Sequence, residues 1–332
     1  MCAPHHERWA QVHSVPKGYM DMGLYERIVR SLAEEDCRFD HLIFQWLGDP
    51  SLHPHLEDMV ALAQDHLAKK VGYLRIDTNA VVLTPSRMER LVSVYARCPE
   101  LPLLVVFTVD AVTEQTYARV KGQDALARVR RNIRHFIMQR AHLAGDVRLN
   151  LQVQFVLQEG NAHECRAFVD YWSDVLACHG KGRGYSEIMV KRLSVGAGGE
   201  GQLAADELYE RTCREQGVRE ERREHVHLKV WDRRPWESTG GQGKRQPCPG
   251  LWATPVIRHD GALMMCCADL PGKLALGSLA ESSFRELWEG PVAHKRRVEH
   301  IHGRFDEPCG SCGGINWYRT TPEVIAHTLA QK

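Results

Sequence analysis

Along the first two-thirds of the chain, short apolar runs alternate with longer stretches in which apolar residues recur at helical spacing. Short apolar runs bounded by turn formers read as buried strands, and recurrence at three- and four-residue intervals reads as amphipathic helix. Strands are therefore expected at 41–47 (His-Leu-Ile-Phe-Gln-Trp-Leu), 71–76, 103–109, 147–157 and 188–193, and helices at about 21–35, 55–69, 85–97, 114–140 and 162–177. Thr113, followed by Glu114 and Gln115, has the form of a helix cap. Five strands, each paired with a helix, predict an α/β fold with a parallel sheet curved into a partial barrel.

From Gly196 to Gln246 the pattern weakens between two glycine-rich stretches, and this segment is expected to be a linker or insert. The mixed-sign run Arg219–His225 within it reads as a solvated helix face. Residues 247–319 form a small cysteine-bearing unit, and 320–332 a tail. Ile257–Met265 is apolar on both sides of Asp260-Gly261, the signature of a hairpin. A chain of 332 residues with 43% hydrophobic residues can bury a sizeable core, and a net charge of +1 creates no field that would recruit nucleic acid or an anionic membrane. With no apolar run near the roughly 20 residues of a membrane span and no export signal, a cytoplasmic protein is expected.

The 11 cysteines fall into two groups. Cys37, Cys98, Cys165, Cys178 and Cys213 are dispersed singly and read as small buried hydrophobes. Cys248, Cys266, Cys309 and Cys312 lie in glycine- or proline-bearing turns. Gly261 is followed by four residues and Cys266, and Cys309-Gly-Ser-Cys312 is a tight C-x-x-C turn. Four thiolates gathered this way can hold a [4Fe-4S] cluster or a zinc ion. Cys267 could replace Cys266, but neighbours on a strand face opposite ways, so only one points inward. The 18 histidines are scattered, and His5, His6, His53 and His55 are not taken as ligands. Trp46 and Trp317 read as core or pocket lining.

In parallel α/β folds the ligand site forms at the carboxyl ends of the strands. There the sequence carries Gly48-Asp49-Pro50-Ser-Leu-His-Pro54, Thr78-Asn79-Ala80 and Thr108-Val-Asp110-Ala, the last followed by Glu114-Gln-Thr-Tyr117, and later Asn161-Ala-His-Glu164. In order and spacing these motifs resemble those of the radical S-adenosylmethionine (SAM) superfamily, in the branch with a C-terminal SPASM or twitch-type domain. The resemblance covers essentially the whole chain. It implies a partial (β/α)6 TIM-type barrel lacking its first strand, followed by a small iron-sulfur domain. It also implies SAM contacts from Gly48, Asp49, Pro50, Thr78, Asn79, Thr108 and Asp110, with the backbone at 48–50 meeting the SAM amino group. Cys248, Cys266, Cys309 and Cys312 would hold one auxiliary [4Fe-4S] cluster. Leu276-Gly-Ser-Leu279 and Phe284-Arg-Glu-Leu-Trp288 resemble elements of that domain and would pack beneath the cluster.

The family's SAM-binding [4Fe-4S] cluster uses C-x-x-x-C-x-x-C, of which only Cys2, in Met-Cys-Ala-Pro-His, has a counterpart here. The sequence is therefore expected to start late within a longer protein, or else to belong to a degenerate Fe-S and SAM-binding protein without radical catalysis; as written it should be inactive. The resemblance implies an oxidoreductase or maturase that cleaves SAM reductively and abstracts hydrogen from a small-molecule or peptide substrate. It would draw electrons from a donor such as flavodoxin or ferredoxin.

Overall fold

The structure is a computed structural model that describes residues 17–97, 99–143, 148–179, 184–194, 200–222, 226–231, 245–270, 272–310, 312, 314 and 319–331. The described residues fall into two compact units. One comprises 36–195 and 200–232, and the other comprises the residues up to Glu35 together with those after 233. Cys2, His5, His6, Cys98 and Trp317 lie outside the described residues.

Helix α1 (Met22–Glu34) starts where the Asp21 carboxylate accepts the N–H of Leu24 at 3.0 Å, and it buries Leu24, Tyr25, Ile28, Val29 and Leu32 along one stripe. It belongs to the second unit. Glu35, just past its end, accepts from the backbone N and the Nε of Arg285, both at 3.2 Å.

The first unit is built on a seven-stranded sheet in the order β1-β2-β3-β4-β5-β7-β6. Strands β1 (Leu42–Ile43), β2 (Leu74–Thr78), β3 (Leu103–Thr108), β4 (Leu149–Leu157), β5 (Ser186–Arg192) and β7 (His227–Trp231) are parallel, while β6 (Glu221–Arg222) lies antiparallel to β7. The connections carry α2 (Leu56–Leu67), α3 (Pro85–Arg97), α4 (Glu114–Lys121), α5 (Leu126–Ala141), α6 (Cys165–His179) and α7 (Glu200–Glu215). One face of the sheet is apolar and fully buried: Leu74, Ile76, Val105, Phe107, Val153, Phe155, Ile188 and Val190 are all 0% exposed. Phe107 meets Phe136 of α5 edge-on at 5.3 Å, and Phe155 meets Phe168 of α6 at 4.8 Å. Burial of each such side chain is worth about 1.5–3 kcal/mol.

Two expectations are corrected here. The strand over 41–47 shrinks to Leu42–Ile43, because this edge strand has only β2 beside it and the Gln45 side chain turns to donate to the Trp46 carbonyl. The single helix over 114–140 is two helices. Gly122 adopts φ 71° and its N–H caps Ala118 O at 2.8 Å, ending α4 in a left-handed turn. The segment 196–246, expected to be a linker or insert, carries α7 and β7, and β7 extends the parallel sheet beyond β5. Its helix escaped notice because the face it buries is Gln202, Asp206, Tyr209 and Thr212, which leaves no apolar stripe to read. Polar bonds hold it instead. Buried Arg192 pairs with Asp206 at 3.0 Å, Gln202 Nε2 donates to Leu193 O, and Tyr209 Oη donates to Val190 O at 3.1 Å. Of the dispersed cysteines, Cys165 is buried as expected, whereas Cys37 and Cys178 are exposed.

The second unit contains a three-stranded antiparallel sheet of β8 (Val256–Ile257), β9 (Ala262–Met264) and β10 (Ala275–Ser278). Gly261, at φ 84°, makes the expected hairpin turn. Four helices accompany it: α8 (Gly250–Ala253), α9 (Phe284–Trp288), α10 (Pro291–Ile301) and α11 (Pro322–Ala330). No helix among the described residues is long and apolar enough to cross a membrane.

The polar attachment of α7 gives a direct check. Asp206→Ala would strand the Arg192 guanidinium in a buried site and should destabilise the first unit by about 3–5 kcal/mol, read from urea unfolding. An unchanged midpoint would return 200–215 to the status of a linker.

Candidate cofactor and cluster sites

The strand-end residues singled out from sequence converge in the first unit. Asp49 caps the 3-10 turn Pro50–Leu52 with Pro50 in its first position. Its Oδ1 accepts from Ser51 N (2.9 Å) and Ser51 Oγ (2.5 Å), and its Oδ2 from Thr78 Oγ1 (3.0 Å) and Asn79 N (2.8 Å). One carboxylate thus joins the loop after β1 to the end of β2. From the other side, Arg87 on α3 donates to the carbonyls of Ser51 and His53 while pairing with buried Glu57 at 2.8 Å. Gly48 is left exposed.

Beyond Thr78, Asn79 Oδ1 accepts from Val81 N, and Ala80 takes φ 60°. The end of β3 behaves alike, with Asp110 at φ 61°. Among the described residues these are the two non-glycine positions with positive φ, and both sit where adjacent strands stop. Such strain costs of order 1–3 kcal/mol and persists where the surroundings over-determine it. Asn132 Nδ2 holds the Ala80 carbonyl at 2.8 Å. Asp110 Oδ1 accepts from Val156 N, Lys121 pairs with Oδ2, and Asn161 Nδ2 reaches both Asp110 O and Val156 O. Thr108 Oγ1 faces Thr78 O at 3.4 Å. Buried Glu164 accepts from Val112 N, Thr113 N and Thr113 Oγ1. Burial alone would raise its pKa, but the hydrogen bonds from Thr113, Val112 and Thr116 outweigh it and hold the carboxyl below its ordinary value.

The sheet face opposite the apolar core is polar. Arg75 forks onto Asp77 with bonds of 2.6 and 2.8 Å, and Glu187 accepts from Gln152 and pairs with Lys229 at 2.6 Å. Register places Thr108, Gln154 and Lys191 on this same face. Burial first, and then Arg75, lower the Lys191 pKa. Arg87, Lys121 and Asn132 were not found from sequence, since each lies on a helix in no motif and acts on a strand-end loop outside that helix.

In the second unit, Cys248, Cys266, Cys309 and Cys312 line one cavity together with Arg245, Asp269, His300 and Gly314. Cys267 is not among its walls, so the hairpin presents Cys266 inward. Leu251, Met265, Cys266, Leu274 and Ala293 form the core beneath, with Leu276, Trp288 and Cys309 packed against it, as the sequence led us to expect for the 276–288 region. Cys266 Sγ accepts from Ala268 N and Cys312 Sγ from Gly314 N, at 3.4 and 3.3 Å. Burial, then the neighbouring thiols Cys266, Cys248 and Cys312, push the Cys309 pKa up to about 12. Thiols so crowded become thiolates only when a cation shares the site. The donor set fits an iron-sulfur cluster: four cysteines, two of which already receive backbone N–H bonds. Zinc, the alternative for four thiolates, would be held through Zn–S bonds of about 2.3 Å. His300, on α10, is 4% exposed, and burial first and Arg245 second lower its pKa to about 4, so its ring is neutral.

Residues 248–313 match the SPASM model, an iron-sulfur cluster-binding domain. That stretch is similar to a SPASM domain. Solved structures share the fold of the rest. One, titled native anSMEcpe with bound AdoMet, is 16% identical, with 90% of this chain and 79% of that chain covered and a TM-score of 0.53. Streptococcus suis SuiB bound to S-adenosylmethionine is 12% identical over 90% of this chain and 64% of that one, also at 0.53. A third, anSMEcpe with AdoMet and the Cp18Cys peptide, is 17% identical over 89% of this chain and 79% of that chain, at 0.51. These structures share the fold of the chain, and among the described residues its sheet is open, where a closed barrel could have formed. No curated protein sequence matches the chain.

Two outcomes follow for the strand ends. Asp49→Asn, which turns a donor toward atoms that themselves donate, should release both loops, costing about 1–3 kcal/mol and speeding amide exchange at Ser51 and Asn79. Unchanged exchange at Asn79 would refute the bridge. Because the folded-state pKa of Glu164 lies below its unfolded value, its stabilisation is full above the ordinary carboxylate range near pH 4.3 and is lost as pH falls through the depressed value. Glu164→Gln should therefore flatten the loss of stability on acidification, measured as urea midpoint against pH.

Proposed function

We propose that the protein is a radical SAM enzyme of the oxidoreductase or maturase type. The observation that carries this reading is the SPASM domain, whose four cysteines line one cavity, on a chain whose sheet ends in the ordered turns 48–50, 78–80 and 108–110. In this reading the backbone at Gly48, Asp49 and Pro50, of which Gly48 is exposed, receives the amino group of SAM, with Thr78, Asn79, Thr108 and Asp110 around the rest of it. The carboxylates of Asp49 and Asp110 are already bonded within the protein, so their part is to hold the carbonyls and hydroxyls of the rim in place. Cys248, Cys266, Cys309 and Cys312 hold the auxiliary cluster, and Cys2 belongs to the SAM-binding one. When bound, the SAM-binding cluster would supply one electron for reductive cleavage of SAM, with hydrogen then leaving the substrate to 5′-deoxyadenosine. The net change would be a two-electron oxidation with SAM consumed: one electron leaves the substrate with that hydrogen, and the second passes to the auxiliary cluster as a proton is released.

The polar sheet face, with its fixed pairs Arg75–Asp77 and Glu187–Lys229, suits a substrate rich in hydrogen-bonding groups. A peptide meets that description, and one of the solved structures of like fold contains one. A small polar molecule meets it equally. The electron donor would be a flavodoxin or ferredoxin, and the cytoplasm the site of action.

Anaerobic reconstitution tests the reading. The SPASM domain should take up about four irons, and Cys309→Ala combined with Cys312→Ala should remove them with their visible absorbance and loosen the second unit. Zinc without iron would overturn the assignment. With SAM and a strong reductant, 5′-deoxyadenosine is the expected product whenever the SAM-binding cluster is complete. Binding of SAM without cleavage in that state would instead identify an Fe-S and SAM-binding protein without radical catalysis.

A further inference from the structure

We propose that His300 donates a hydrogen bond to the iron-sulfur cluster of the SPASM domain and thereby sets its reduction potential. This inference rests on the reading that Cys248, Cys266, Cys309 and Cys312 hold that cluster. His300 lines the same cavity as the four thiols, yet it comes from α10, an element that supplies no cysteine.

The polar groups around the cavity are otherwise occupied by the protein. The Asp269 carboxylate accepts from Lys273 N at 3.0 Å and Leu274 N at 2.6 Å. Arg245 donates to Cys312 O at 2.9 Å. His300 Nδ1 differs: it is buried and has no hydrogen-bond partner among the described residues. An unsatisfied buried nitrogen costs about 1–3 kcal/mol, so native proteins seldom leave one without a reason.

The ring is also held rigidly. Phe305 meets it edge-on at 4.8 Å between centroids, and the Arg245 guanidinium lies 4.4 Å from the Phe305 ring centroid. A neutral imidazole carries one N–H, and a proton on Nδ1 makes this nitrogen a donor. The acceptors that the SPASM assignment brings into the cavity are the sulfurs of the cluster and of its thiolates. A hydrogen bond to such a sulfur withdraws electron density and favours the reduced, more negatively charged state, which raises the potential. His300 is therefore a positioning residue that acts through the cluster, with no contact to SAM or substrate required.

The test is a redox titration of the reconstituted full chain, followed by electron paramagnetic resonance, with iron counted in parallel. His300→Leu should keep its iron and shift the midpoint to more negative potential. His300→Gln, which keeps an N–H donor on a side chain of similar reach, should stay near the wild type. A fully iron-loaded His300→Leu at the wild-type potential would overturn the proposal. Pulsed measurements on unsubstituted protein grown with 15N-histidine provide the second check, since they need no variant to fold. The reduced cluster should couple to a histidine nitrogen, and absence of that coupling would equally overturn it. Failure of the four cysteines to bind iron at all is a separate result, visible in the iron count, and would reject the cluster reading itself.

Discussion

The first unit depends on one carboxylate. A two-residue edge strand such as β1 cannot by its own ladder fix the loop that follows it, yet that loop begins with Gly48-Asp49-Pro50. Asp49 supplies the missing constraint by accepting from Ser51 on its own loop and from Thr78 and Asn79 on the next. The same device recurs at the neighbouring strand ends, where Asp110 reaches across to Val156 and Glu164 to Val112 and Thr113. Each acid satisfies backbone N–H groups that leave the sheet unpaired, so the rim of the sheet is tied strand to strand by short anionic bridges.

The second unit is organised on a different principle. Its sheet has three short strands and its shared core is small, built from Leu251, Met265, Cys266, Leu274 and Ala293. Two of the cluster cysteines contribute to this apolar packing, Cys266 within the core and Cys309 against it. Metal binding by these cysteines would be linked to folding through shared atoms, because Cys266 and Cys309 also fill the interior.

Much of this was legible in the sequence, and the exceptions share a cause. Strands β2 to β5 each place apolar residues on the one fully buried face, and they stand close to where the pattern put them. The cysteines of the SPASM domain were legible because turn residues and fixed spacing mark them. Helix α7 was not, since it docks through Gln202, Asp206 and Tyr209, and a hydropathy pattern cannot register a face that is buried yet polar. Arg87 and His300 were invisible for a related reason. Arg87 bonds to carbonyls more than 30 residues away and His300 lines a cavity with cysteines from other segments, juxtapositions that only the folded backbone makes.

Ala80 and Asp110 carry a consequence for any ligand of the rim. Each holds a left-handed backbone that a glycine would adopt without cost, so the surrounding bonds, not the local chain, dictate that conformation. A rim set in this way before a ligand arrives has little conformational freedom left to lose on binding. Its contribution to affinity is preorganisation, acquired when the chain folds and independent of how closely the ligand grips it.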